Sequence, residues 1–258
     1  MASEIDDLFA QTMEGAYEDE APWQAVQSLR RMGTRQAFEQ AAKWTKSAVP
    51  LMRSRGLDVL ARLGTTVEHP SNNFPVEVYD VVTQVLASEH ELQPLNSALA
   101  APGHLGDERA VPLIASHHSD SGTDIRFTVA CALGSFPNDA VSVATLSTLS
   151  EDADDDVRDW ATFGLGVQGD VDSLPVREAL SWRLSDSDSD AREEALVGLA
   201  RRHDARILAV LLTALGESLV TDRVIEAAYT LLGMERDRED WSRSDYVNAL
   251  RLRLDGLE

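Results

Sequence analysis

Four stretches of this chain repeat one eleven-residue pattern: DIRFTVACALG at 124–134, DVRDWATFGLG at 156–166, DAREEALVGLA at 190–200 and, more loosely, RVIEAAYTLLG at 223–233. Upstream, shorter matches end at Gly33, Gly64 and Ala100, so successive ends stay 31 to 36 residues apart. A unit of that length is one helical hairpin, which cannot bury its apolar face alone and is stable only against its neighbours. About seven such units fill the 258 residues.

Within the pattern, positions 2, 6 and 10 (Val157, Ala161 and Leu165 in the second copy) share one face of a helix, the spacing of a buried stripe. Asp at position 1 is placed to cap the helix, and the small residue at position 11 ends it or admits a neighbour. A second helical pattern follows about ten residues later, as in AVSVATLSTLS after Asn138-Asp139 and ARILAVLLTALG after His203-Asp204. Pro22, Pro50, Pro75, Pro137 and Pro175 stand where helices are expected to begin. Aromatic residues make up only 6% of the chain and no stretch alternates as a strand would. The expectation is all-α: an α-solenoid of about seven helical hairpins, one domain over 1–258. It divides into an N-terminal cap region at 1–20, divergent repeats at 21–98, well-matched repeats at 99–233 and a closing helix at 241–258. Ile5, Leu8, Phe9 and Met13 are expected to face inward at one end, and Tyr246, Leu250 and Leu254 at the other.

The repeat resembles the HEAT family, and more narrowly the short bacterial HEAT-like repeats of phycobilin lyases. The residues that carry the likeness are Asp124, Ile125, Arg126, Leu133 and Gly134; Asp156, Val157, Arg158, Leu165 and Gly166; and Asp190, Ala191, Arg192 and Leu199. GHLGDERAVPLI at 103–114 is similar to the family's turn and first helix, with its proline at Pro112. The resemblance implies a structural ladder in which Arg126, Arg158 and Arg192 reach carboxylates of neighbouring repeats, with Asp124, Asp156 and Asp190 as the acids. Arginine suits that task because its planar fork can hold a carboxylate at two points.

Twenty-three basic residues against forty-four acidic ones leave a net charge of −21. Such a field repels nucleic acid and anionic lipid, so neither is an expected partner, and a protein with a basic face is. The same acid excess also suits solubility or a saline cytoplasm. One cysteine, Cys131, permits no internal disulfide. No signal-peptide pattern opens the chain and no apolar run is long enough to span a membrane, which points to the cytoplasm.

If positions 2, 6 and 10 face inward, positions 4 and 5 look outward, and in HEAT arrays this helix lines the concave surface. There the chain places Phe127, Asp159, Trp160, Glu193, Glu194 and Glu226, a stripe of acids with two aromatics. Apolar anchors among acids suit a basic helix or peptide. The expected function is therefore a non-catalytic scaffold that binds a protein on its concave face, with no cofactor and no metal. The alternative is a phycobilin-lyase-like enzyme or chaperone acting on a client protein. A di-iron site like that of deoxyhypusine hydroxylase needs histidines at position 4, and no repeat has one; the one His-Glu pair is His90-Glu91. An alkylpurine glycosylase-like groove would be basic, whereas this chain has two lysines. DSDSD at 186–190 and DADDD at 152–156 imitate a calcium loop but lack its glycine and its closing glutamate.

Overall fold

The computed structural model describes residues 3–234 and 240–255, with side chains to residue 253. Its contacts group into two compact units, 1–136 and 137–258, a division that the reading of one undivided array does not draw.

The first unit holds α1 (Glu4–Gln11), α2 (Glu20–Met32), α3 (Arg35–Trp44), α4 (Pro50–Ala61), α5 (Pro75–Leu86), α6 (Leu92–Leu105), α7 (Val111–Ala115) and α8 (Thr123–Gly134). These pair as four hairpins, and the second helices α2, α4, α6 and α8 pack side by side in that order. The second unit holds α9 (Ala140–Leu149), α10 (Asp155–Phe163), α11 (Leu174–Arg183), α12 (Ser189–Arg201), α13 (Leu208–Leu215), α14 (Asp222–Leu231) and the closing α15 (Arg243–Asp255). Three hairpins form there, with α10, α12 and α14 adjacent. No strand occurs among the described residues.

The buried stripe lies where the period puts it. Ile125, Val129 and Leu133 are buried on α8, Val157, Ala161 and Leu165 along α10 and its continuation, and Ala191, Ala195 and Leu199 on α12. At the two ends, Ile5, Phe9, Tyr246 and Leu250 are buried; the Leu254 side chain lies outside the described residues. Small residues do more than end helices. After α10 the chain continues in a π-helical turn, Gly164–Gln168, and a Cβ on Gly198 of α12 would come within 2.6 Å of the Gly166 Cα. The glycines therefore set the spacing of the two inner helices. Arg202, buried beside them, donates to the carbonyls of Leu165 (2.8 Å), Gly169 (3.1 Å) and Gly198 (2.8 Å), closing polar groups that the π turn leaves open.

Three sequence expectations need correction. Pro50, Pro75 and Pro175 lie in the first turns of their helices, and Pro22 at the third residue of α2, but Pro137 sits in the turn ahead of α9. The helix-capping aspartates are Asp154 and Asp188, which accept from the N–H groups of Val157 and Ala191, not the position-1 residues two places later. Asp124, Asp156 and Asp190 are instead exposed second residues of α8, α10 and α12. There their charge suits the helix dipole.

The third concerns the ladder. Each arginine is the fourth residue of its helix, where a side chain leans back over the preceding turn. Arg126 donates to the carbonyls of Asp120 and Ser121, Arg158 to those of Asp152 and Ala153, and Arg192 to those of Asp186, Ser187 and Asp188. The carboxylate that meets Arg158 from the next repeat is Asp186, bidentate at 2.9 Å to Nε and 2.9 Å to Nη2. Asp186 stands two residues before the cap of α12, where its side chain turns toward the preceding repeat while an exposed second residue points to water. It also accepts from Arg183 and from the Asp188 N–H; the Arg158 bond first, then these two, hold its pKa down at about 2 against burial. The divergent region contains the same device unannounced. Arg53, fourth residue of α4, donates to the Ser47 and Ala48 carbonyls and grips Glu89 at 2.6 and 3.0 Å, two residues before the start of α6 at its cap Glu91.

Candidate functional site

The outward residues of the pattern fall in both units. Phe127 belongs to the first, where with Cys131 it lines an apolar cavity of about 250 Å³. Asp159, Trp160, Glu193, Glu194 and Glu226 belong to the second, on α10, α12 and α14, and the structure brings these five together with one cation, Arg223.

That cation is outnumbered. Arg223 reaches Glu194 at 3.2 Å and Glu226 at 3.0 Å, while Glu193 accepts from the Thr221 hydroxyl at 2.7 Å. Asp159 Oδ1 and Glu194 Oε2 are buried with no hydrogen-bond partner among the described residues. Burial pushes the Asp159 pKa up to about 6, and the charges of Asp190, Asp188 and Asp156 push the same way against Arg223. Glu194, only 9% exposed, is pushed up to about 7, mainly by burial. Arg223 opposes that shift, while Asp159, Glu226 and Asp190 add to it. A buried carboxylate oxygen without a donor is costly.

The apolar component is Trp160, 40% exposed, packed edge-on to Phe163 with ring centroids 5.7 Å apart. The Arg223 guanidinium lies 5.9 Å from the Phe163 centroid. The arrangement combines a half-open aromatic wall, two under-satisfied carboxylates and a flanking ion pair. Chemically it can accept hydrogen bonds from a cation and desolvate its hydrocarbon stem. No group of three or more His, Cys, Asp or Glu among the described residues is placed to hold a metal ion, and no described helix is long and apolar enough to cross a membrane.

No protein-family model matches the chain. Protein YibA of Escherichia coli K12 is 36% identical over 109 residues, which are 42% of this chain and 38% of YibA. The match therefore spans less than half the length of that curated relative. The X-ray structure of YibA superimposes with a TM-score of 0.75 at 21% identity, covering 97% of this chain and 93% of that one. A designed armadillo repeat protein in complex with the peptide (KR)4 matches with a TM-score of 0.51 at 12% identity, covering 76% and 98% of the two chains. The fold is a HEAT/armadillo-like helical repeat. In this helical-repeat protein the acidic cluster lies on the second helices of three successive hairpins.

The sequence reading puts the cluster's acids and Trp160 at outward positions; the structure buries Glu194 instead, because it packs between α12 and its neighbours. The reading missed Arg223 and Phe163 as members. Arg223 stands at position 1, where the other copies carry Asp, and that exchange of sign was the available signal.

Proposed function

We propose that the chain is a non-catalytic protein-binding helical repeat whose second unit receives a lysine- or arginine-bearing segment of a partner. The supporting observation is the pair of buried, unpartnered oxygens on Asp159 and Glu194 beside the exposed ring of Trp160. A partner guanidinium or ammonium placed between α10 and α12 supplies the missing donors, and its stem lies against Trp160. The flanking acids Asp188, Asp190 and Glu193 steer the basic segment toward the cluster. The designed armadillo repeat protein bound to (KR)4 is a helical-repeat protein that holds alternating lysine and arginine, which agrees with this reading. Binding of a cation favours the ionised carboxylates, so affinity rises as pH climbs through 6 to 7, the values about which Asp159 and Glu194 titrate.

The test is fluorescence anisotropy of a labelled (KR)4 octapeptide with the wild type and with Asp159→Asn/Glu194→Gln. The double variant is expected to weaken binding roughly 10- to 100-fold, the worth of one or two charge-assisted hydrogen bonds. Salt at ~1 M, where screening acts within ~3 Å, should abolish the steering contribution. Equal affinity for the wild type and the double variant would overturn the assignment of the site.

A further inference from the structure

The first unit contains a cavity of about 380 Å³ between α2, α4, α6 and α8, and its chemistry is opposite to that of the acidic cluster. At its base lies Arg30, only 8% exposed. Its Nε donates to the Asp58 carbonyl at 2.8 Å, while Nη1 and Nη2 have no hydrogen bond to any described residue. Asn96 Oδ1, also on the wall, is buried without a partner. His104 stands at the rim with no described partner; desolvation, then Arg62 and Arg30, lower its pKa.

The acids around this cavity are committed or peripheral. Asp58 accepts from the Tyr17 hydroxyl at 2.9 Å and has Arg55 Nη1 at 3.7 Å, an ion-pair rather than hydrogen-bond separation. Burial raises its pKa, opposed by the Tyr17 and Ser97 hydroxyls and by the charges of Arg30 and Arg55. Glu18 and Asp124 are exposed at the mouth. The aromatic faces are also taken: Arg55 lies 4.3 Å from the Tyr17 centroid and 5.1 Å from that of Trp23, and Arg30 lies 5.7 Å from Trp23. A cationic ligand finds no free buried acid there, only the amide oxygen of Asn96, which a carboxylate would leave unfilled. An anion finds a guanidinium fork with both terminal nitrogens unspent.

A second cavity, of about 250 Å³, adjoins this one by sharing Ala100, His104 and Thr128. Its remaining walls are mostly apolar, with Gly103, Phe127, Cys131 and Ala132 among them. The polar and the apolar cavity therefore share one wall, formed by Ala100, His104 and Thr128. From this geometry we infer that the first unit binds a small organic monocarboxylate, with the carboxylate on Arg30 and the hydrocarbon part over Gly103, Phe127 and Cys131. A single negative charge suits one fork flanked by rim acids; a dianion would meet Glu18 and Asp124 unfavourably. This site shares no residue with the acidic cluster, so either assignment can fail alone.

The test uses octanoate, octanol and octylamine as probes, with binding followed by calorimetry and by the His104 imidazole resonances. Octanoate is expected to bind in 1:1 stoichiometry and to raise the His104 pKa, because an anion stabilises the imidazolium. Octanol and octylamine should bind at least roughly tenfold more weakly. Arg30→Gln should weaken octanoate by roughly 10- to 100-fold. Because Arg30 also holds a backbone carbonyl, Thr128→Trp provides an independent variant: it fills the shared wall and should abolish the octanoate-induced shift at His104 with the melting temperature kept. The inference is overturned if octanoate leaves His104 unmoved, if octylamine competes as well as octanoate, or if folded Arg30→Gln or Thr128→Trp binds octanoate as the wild type does.

Discussion

The two units use one hairpin design and dispose of charge in opposite ways. In the first, arginines go inward: Arg55 is fully buried, donates to the Thr12 and Tyr17 carbonyls and stacks on Tyr17, while Arg53 grips Glu89. What remains short of hydrogen-bond partners there is cationic: the two terminal nitrogens of Arg30 and the buried Nη1 of Arg55, which has Asp58 only at 3.7 Å. In the second, Arg158, Arg177 and Arg202 are consumed by turns and carboxylates; Arg183 keeps Asp186 through Nη1 while its Nε has no described partner, and the carboxylates left short are Asp159 and Glu194. Charge that is fully paired is architecture; charge left buried and short of partners is where a ligand can gain the most.

The sharpest way to break that distinction is to remove a paired group. Arg158→Met takes away the bidentate contact to Asp186 and two carbonyl bonds, and should cost about 2 kcal/mol in urea unfolding, the worth of a charge-assisted hydrogen bond, since Asp186 keeps Arg183 and the Asp188 N–H. A loss below about 1 kcal/mol would mean that the rung is decorative.

Next in size are the pH profiles, whose signs must oppose. Asp186 sits below its ordinary 3.8, at about 2, so its contribution is intact above pH 4 and is lost as pH falls toward 2. Asp159 and Glu194 sit above their ordinary 3.8 and 4.5, so the folded state holds their protons more tightly, and stability declines as pH rises through about 4 to 7. Glu194→Gln should therefore gain about 1 kcal/mol over the wild type at pH 8 and little at pH 4, after allowance for solvent screening. Denaturation midpoints of both proteins across that range check it; a variant less stable than the wild type at pH 8 would show that the glutamate is architectural.

The smallest effects concern the position-1 acids. Asp156→Ala and Asp190→Ala remove a dipole interaction and also relieve repulsion on Asp159, so each should cost no more than about 0.5 kcal/mol. Asp186→Ala should cost several times more. Thermal melts of the three variants locate the ladder's acid; equal losses would contradict the geometry.

These contrasts also mark what the sequence could disclose. The eleven-residue pattern made the hairpins and the buried stripe legible, because a period of three to four survives any choice of apolar residue. The ladder's acid was misplaced because Asp156 and Asp190 look alike in every copy, whereas the working residue, Asp186, is defined by its distance from a cap. Arg53 and Glu89 escaped notice for the same reason, since Glu replaces Asp and no Asp-x-Arg precedes them. Positions 4 and 5 put Asp159, Trp160 and Glu194 on adjoining helices, but Glu194 is buried there rather than outward. Which oxygens lack donors depends on Arg223 and on packing that no spacing encodes. The cavity at Arg30 was invisible because its walls come from four helices in different repeats.

The central claim is that Asp159 and Glu194 are held short of partners for a cation to complete. The most direct measurement is the titration of their side-chain carboxyl carbons by NMR, alone and with saturating (KR)4 octapeptide. The account predicts midpoints near about 6 and about 7 in the free protein. Both should drop when peptide binds, while the Asp186 titration stays unmoved. Ordinary midpoints in the free protein, or raised midpoints that the peptide leaves unchanged, would contradict it.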